Sequence, residues 1–335
     1  MALKKTKLIL AASLILIGSI PSLAETIETG KGTLKLGLIL QPTVAWTQSD
    51  LSPTTSLTMK RARFLFFGEI IPGKVKYFIQ TEAVGSPSLL DMKLQFYYLP
   101  KTEIAIGRFL PSFTHYMPMS TAKLDLINYP LMVSKYGMWR QVGIQTTTTT
   151  SFVDFNLGLF NGYPSNNWSD NNDGKDLLLR AAAKPSKSFL VFGNAWLGNA
   201  VLAKSEDLSK NLYGGGILFE KALSESPMAI SFRGECLWGR EETTTGGKIN
   251  SLGLYANVGL KINPRVEFLV RYDMFDPNTK TGENGLRWIT AGVNYYLQGQ
   301  NVMFYLNYIK KIDEVAAGLK DPKDDEIVLQ AQVFF

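Results

Sequence analysis

Ile327, Leu329, Ala331, Val333 and Phe335 put an apolar side chain at every second position of the last nine residues, opposite Val328, Gln330, Gln332 and Phe334. That period of two is a β-strand, and here it runs to a terminal aromatic. In water such a strand is a liability, because its open edge and oily face invite pairing with other chains. In a membrane the constraint reverses. Every backbone N–H and C=O must be paired inside the protein, so strands cross lipid only as closed barrels with an apolar outer face. The expectation is a strand that closes such a barrel.

The other end of the chain agrees. Lys4, Lys5 and Lys7 precede an apolar run from Leu8 to Ile20, too short to span a bilayer, and Ser22-Leu23-Ala24 forms a small-x-small exit before Glu25. Residues 1–24 read as a secretory signal and residues 25–335 as one outer-membrane β-barrel. Mean hydropathy is zero, against a transmembrane helix further along, yet the chain carries 6 Trp, 14 Tyr and 19 Phe. A single cysteine, Cys236, excludes an intramolecular disulfide and a cysteine zinc site, and a single histidine, His115, argues against a histidine metal centre. No metal or cofactor is expected. The formal charge of +6 falls to +3 once the three leader lysines are set aside, too mild for a nucleic-acid partner.

Alternation predicts sixteen strands: 33–47, 56–71, 74–84, 89–99, 102–109, 137–148, 151–161, 174–184, 187–199, 210–221, 226–238, 248–261, 264–274, 286–297, 300–311 and 326–335. Connections after even-numbered strands are short, such as Ile71-Pro72-Gly73-Lys74 and Leu297-Gln298-Gly299-Gln300. Those after odd-numbered strands are mostly longer and polar, as in 161–174 and 311–326. Short periplasmic turns alternating with long external loops are the pattern of an all-β, antiparallel transmembrane barrel of about 16 strands in the outer membrane of a Gram-negative-type bacterium.

The faces follow from charge. Arg61, Arg63 and Glu69 share one parity, as do Lys76, Gln80 and Glu82; Asp91, Lys93 and Gln95; and Arg265, Glu267, Arg271 and Asp273. Charge is costly against lipid, so these positions should face a water-filled lumen while Phe64, Met92, Leu94, Phe268 and Val270 face lipid. Strict alternation sends Lys60 to the lipid side, where it would snorkel to headgroups. Trp46, Tyr98, Trp196, Trp238, Trp288, Tyr296 and Tyr308 are candidates for interfacial girdles.

Residues 110–136 break the rhythm. This longest strand-free stretch starts on the external side as the third external loop, and it is rich in Phe113, Tyr116, Met117, Leu124, Leu126 and Ile127. A solvated loop would not be so apolar, so it is expected to fold inward and narrow the pore. His115, Lys123, Asp125 and Lys135 are then candidates at the constriction, either lining the pore or pinning the loop.

The chain resembles the phosphate-selective porin O/P family of outer-membrane porins. The resemblance lies in Arg61-Ala62-Arg63 to Gly68, Asp91, Gly107 to Phe113, Ile127 to Leu131 and Arg140 to Gln145. A second block comprises Gly292 to Tyr296, Leu306-Asn307-Tyr308 and Leu329 to Phe334. It implies a 16-stranded barrel, a homotrimer, an inward third loop and an anion-drawing lumen. The residues themselves qualify the last point: the chain has ten arginines, and Glu69, Glu82, Asp91, Glu235, Glu267 and Asp273 share their faces. A mixed lumen focuses anions less strongly.

The functional expectation is a passive outer-membrane channel for small hydrophilic solutes, with anion or phosphate preference. Arg61, Arg63, Arg108, Lys123 and Arg140 are the candidate solute contacts, and outer-membrane lipid surrounds the wall. A plugged structural or adhesive barrel is the alternative. A membrane hydrolase is a third reading, disfavoured because only His115 offers a base and no Gly-x-Ser-x-Gly elbow surrounds a serine. No enzyme activity is expected.

Overall fold

A computed structural model of the protein describes residues 26–29, 32–162, 165–170, 174–201, 207–223, 227–315 and 321–335. The expected signal segment, 1–24, lies outside the described residues. The elements are β1 Thr26–Thr29, β2 Gly32–Thr47, β3 Thr54–Ile71, β4 Val75–Glu82, β5 Ser88–Leu99, β6 Thr102–Phe109, α1 Leu131–Tyr136, β7 Gln141–Thr149, β8 Val153–Phe160 and β9 Asp176–Ser186. They continue with β10 Phe189–Val201, β11 Asp207–Ala222, β12 Ala229–Glu242, β13 Lys248–Asn263, β14 Val266–Asp276, β15 Leu286–Gln298, β16 Val302–Asp313 and β17 Glu326–Phe334.

β2 to β17 each pair antiparallel with their chain neighbours, and β17 pairs with β2 from Glu326 opposite Thr47 to Phe334 opposite Ile39. The ring of sixteen strands is therefore closed. Phe335 completes the seam: Leu38 N–H donates to its carbonyl (2.8 Å) and its own N–H returns to Leu38 (3.1 Å). Below that seam β1 pairs with the first residues of β2, from Thr26 opposite Lys35 to Thr29 opposite Gly32. Sequence reading missed this short strand.

The outer wall is apolar along its height, exposing Leu36, Phe64, Met92, Leu94, Leu157, Val258, Val270, Leu306 and Leu329. The opposite parity is polar and enclosed: Gln41, Gln80, Asp91, Asn194, Glu235, Asn257, Arg271, Asp273, Asn294 and Asn307 are all buried. Charge-based face assignment thus holds on the four strands where charge was read, except at Arg265, and Cys236 is exposed on the outside as its parity requires.

Lys60 departs from it. Register slips between Gln41 and Pro42, with Gln41 opposite Arg61 and Pro42 opposite Met59, so Lys60 is the extra residue of a bulge. Pro42 has no N–H to give the ladder, which is where a bulge costs least. Freed from alternation, Lys60 turns inward and its Nζ donates to Asn128.

Three expected girdle residues also face in. Trp196 is buried, with Nε1 on Asp176 (2.7 Å) and its ring stacked on Phe160. Tyr296 donates to Glu267 at 2.5 Å, and Trp288 packs against the inner clusters. Trp46, Tyr98, Trp238 and Tyr308 remain exposed on the wall. The segment read as one strand over 137–148 is also two things: Gly137, at φ +64°, caps α1 in the left-handed region that glycine adopts freely, and pairing begins only at Gln141.

Candidate functional site

Residues 110–136 hold Phe113, Tyr116, Met117, Leu124, Leu126, Ile127, Leu131, Met132 and Val133 at no more than 3% exposure. They pack on the inward side chains Trp196, Leu212, Leu237, Tyr255, Phe275 and Tyr305. The half of the lumen behind this segment is therefore a packed core, not water. The approach is close: a Cβ on Gly253 would lie 2.6 Å from Cβ of Met132, and one on Gly292 2.4 Å from a Leu126 methyl.

Polar side chains from successive strands fasten the segment's backbone. Asn194 on β10 donates to Phe113 O (2.7 Å), Glu235 on β12 accepts from His115 N–H (3.2 Å), and Asn294 on β15 donates to Asp125 O (2.8 Å). Asn307 on β16 accepts from Ile127 N–H (3.0 Å), Gln332 on β17 donates to Ala122 O (3.0 Å), and Gln41 on β2 donates to Thr121 O (3.2 Å). Gln332, on the polar parity of the closing strand, is a buried peg. The tightest fastener is on β14. Arg271 Nε meets Asp273 Oδ2 at 2.7 Å, Arg271 also donates to Asn128 O (2.9 Å) and Tyr129 O (3.2 Å), and Asp273 Oδ1 accepts Leu131 N–H (2.9 Å). A buried charge pair is tolerable only when its remaining donors and acceptors are met, and here the backbone of the segment meets them.

The segment leaves open the side of the barrel formed by β3 to β7. Two cavities lie along it, and a third opens at the periplasmic end against β9 to β12. The external one, about 810 Å³, is lined by Arg61, Arg63, Arg108, Lys135 and Arg140 together with Tyr129, Trp139, Trp168 and Trp288. The middle one, about 330 Å³, runs between Gln80, Asp91, Lys93 and Gln95 on the wall and Pro118 to Thr121 on the segment, and shares Arg63, Leu110, Thr121, Tyr129 and Arg140 with the first. The periplasmic one, about 730 Å³, is bounded by turn residues such as Phe152, Lys187 and Gln300, and shares Met119 with the middle one. By these shared residues the three cavities follow one another from the external end of the barrel to the periplasmic end.

Expected site residues divide between the two ends. Arg61, Arg63, Arg108, Arg140 and Lys135 come together in the external cavity, whereas His115, Lys123 and Asp125 line the periplasmic one. Lining and pinning coexist. Arg63 pairs with Glu82 (2.8 Å) and donates to Thr121 Oγ1 (3.2 Å), and Arg140 pairs with Asp91 (2.9 Å). Arg61 donates to the neutral Gln41 (2.9 Å). Arg108 donates to the carbonyls of Leu89 (2.8 Å), Leu90 (2.5 Å) and Asn166 (2.9 Å) and lies 4.4 Å over the ring of Trp168. These last two arginines make no ion pair among the described residues. Asp125 is a pinning group, held by Arg233 (3.1 Å), Asn257 (3.1 Å) and Tyr116. His115 is enclosed beside Tyr116; burial, with Arg233 and Arg180 nearby, pushes its pKa down to about 3.

Sequence reading missed Trp168, which nothing in the strand pattern marks, and misplaced Lys60, whose inward turn the bulge hides. Arg265, read as a lumen arginine, sits exposed in the turn between β13 and β14.

Several solved structures share this architecture. An anion-selective porin from Comamonas acidovorans matches with a TM-score of 0.68 at 12% identity, over 91% of this chain and all of that one. The outer membrane channel DcaP of Acinetobacter baumannii matches with a TM-score of 0.71 at 12% identity, over 93% of this chain and all of that one. The trimer form of OmpT, an outer membrane protein of Vibrio cholerae, gives 0.60 at 11% identity, over 91% and 99%. At such identities the likeness is one of fold. No curated protein sequence matches the chain. The sequence profile of the family described as phosphate-selective porin O and P matches residues 229–335, from β12 through the closing β17. The last third of the chain thus carries the signature of the phosphate-selective porins O and P, on a barrel with the fold of the outer-membrane porins.

Proposed function

We propose that the protein is a passive diffusion channel of a Gram-negative-type outer membrane, admitting small hydrophilic solutes and favouring anions, phosphate among them. The observation that carries the reading is the external vestibule. Five cationic side chains line it, and among the described residues no carboxylate shares that lining. Glu82 and Asp91 offset Arg63 and Arg140 from behind, but Arg61 and Arg108 make no ion pair among the described residues and Lys135 is exposed. A mouth of one sign raises the local concentration of the opposite ion, and selectivity in a pore follows from width and from charge near the narrowing. The residues bet on for solute contact are Arg61, Arg63, Arg108 and Arg140, with Lys123 acting at the other mouth.

Export by the first 24 residues and assembly as a homotrimer complete the proposal. The trimer is supported by the trimeric OmpT of the same fold. The fold favours a channel over an enzyme. Purified protein in a planar bilayer tests the core of this reading: discrete conductance steps are expected. Folded, inserted protein that carries no ion current would point instead to a plugged structural barrel.

A further inference from the structure

The external vestibule pairs its cations with an unusual amount of aromatic surface. Half of the chain's 6 tryptophans, Trp139, Trp168 and Trp288, line it, together with Tyr129. Trp168 is half exposed and sits against the guanidinium of Arg108, which fixes the ring from one side. Tyr129 and Trp139 meet edge to face with centroids 5.3 Å apart, a rigid pair on the opposing segment. A vestibule serving only small inorganic anions gains nothing from such walls. Phosphate is strongly hydrated on every side and has no apolar face to bury. An anion that carries a ring does: its charged end meets guanidinium groups whose planar forks suit a carboxylate, and its ring meets indole and phenol.

Resting on the anion reading above and narrowing it, we propose that the external vestibule is a binding subsite for carboxylates bearing an aromatic ring. The carboxylate lies toward Arg61 and Arg63, which retain unused N–H groups, and the ring lies against Trp168 and the Tyr129–Trp139 pair. The field of Arg108 and Lys135 adds attraction without requiring direct contact.

The test uses the purified full-length channel in planar bilayers carrying a chloride current. Benzoate, acetate and phosphate are each added to one side and then to the other, and the half-blocking concentration is read. Benzoate is expected to block from one side at a concentration roughly three- to tenfold below that of acetate or phosphate, the worth of one or two ring contacts. Trp168→Ala is expected to bring the benzoate-to-acetate ratio toward one, and Trp168→Phe to restore most of it. Equal block by benzoate and acetate in the unaltered channel overturns the proposal, as does tighter block by phosphate or an unchanged ratio in Trp168→Ala. The zero-current potential of the same membranes in a KCl gradient separates the two levels. Cation selectivity overturns the anion reading beneath; anion selectivity with equal block overturns the ring subsite alone.

Discussion

The two mouths of the barrel differ in kind. The external one is lined by arginines and a lysine with no carboxylate among the described residues, while the periplasmic one sets Lys123, Lys184, Lys187 and Arg233 among Asp125 and Glu220. Arg233 is itself consumed by Asp125 (3.1 Å) and Glu220 (3.5 Å), and Lys184 by Asp154 (2.6 Å). A net field therefore builds at one end and is largely cancelled at the other. The lesson is that the sign of a channel lies in how many of its cations keep a partner, not in how many it has. What separates the mouths is the inward segment, and its fasteners are what keep them distinct.

The largest effect should come from cutting that separation. Asp273→Ala leaves Arg271 buried without its charge partner and strips Leu131 N–H of its acceptor. Breaking such a pair costs about 3–5 kcal/mol. The expected outcome is a lower unfolding midpoint, or a channel of larger and noisier conductance as the segment leaves the wall. Unchanged stability and conductance would show that the clamp does not hold the segment.

His115 sharpens the periplasmic side. Its pKa of about 3 lies below the usual histidine value, so the unfolded chain binds a proton that the folded one refuses between pH 3 and about 6.5. Stability should be full above pH 6.5 and fall as pH drops toward 3, by at most about 1.4 kcal/mol per pH unit from this group. His115→Gln should flatten that part of the stability profile. The same shift predicts no step in conductance near pH 6.5; a step there that vanishes in His115→Gln would contradict a buried, neutral imidazole.

Charge reversal then compares the mouths directly. Arg61→Glu should lower the chloride-to-potassium permeability ratio at least about fivefold, since loss of one unit charge near 4 Å in water is alone worth about 1 kcal/mol. Lys123→Glu, on an exposed side chain beside groups that already cancel, should change it less than about twofold. Equal effects at the two positions would erase the asymmetry claimed here.

How much was legible in the sequence follows the same physics. Strand existence, number and closure were readable because lipid and lumen impose opposite demands on alternate residues, and sixteen long strands follow that rhythm. The inward segment was readable from its apolar content. What it packs on was not: Leu212, Leu237 and Tyr255 occupy inward positions by parity, but periodicity alone does not tell a dry lumen from a wet one. Lys60 was misplaced because a bulge breaks the parity on which face assignment rests. Among site residues, Arg61, Arg63, Arg108, Arg140 and Lys135 do converge: Arg108, Lys135 and Arg140 flank the two ends of the inward segment, and Arg61 and Arg63 face it from the middle of β3. Their division from His115, Lys123 and Asp125 was hidden, because the segment doubles back through the lumen and delivers its residues to opposite sides of the narrowing. Gln330 and Gln332, on the polar parity of the closing strand, meet Thr43 and the segment, a long-range outcome that no local pattern encodes.

The central claim is that the uncancelled cations of the external vestibule make this an anion-preferring channel. The zero-current potential across a bilayer holding many channels, with KCl more concentrated on one side, tests it most directly. Selectivity for chloride over potassium is predicted, reduced by Arg61→Glu. Selectivity for potassium in the unaltered protein would contradict it.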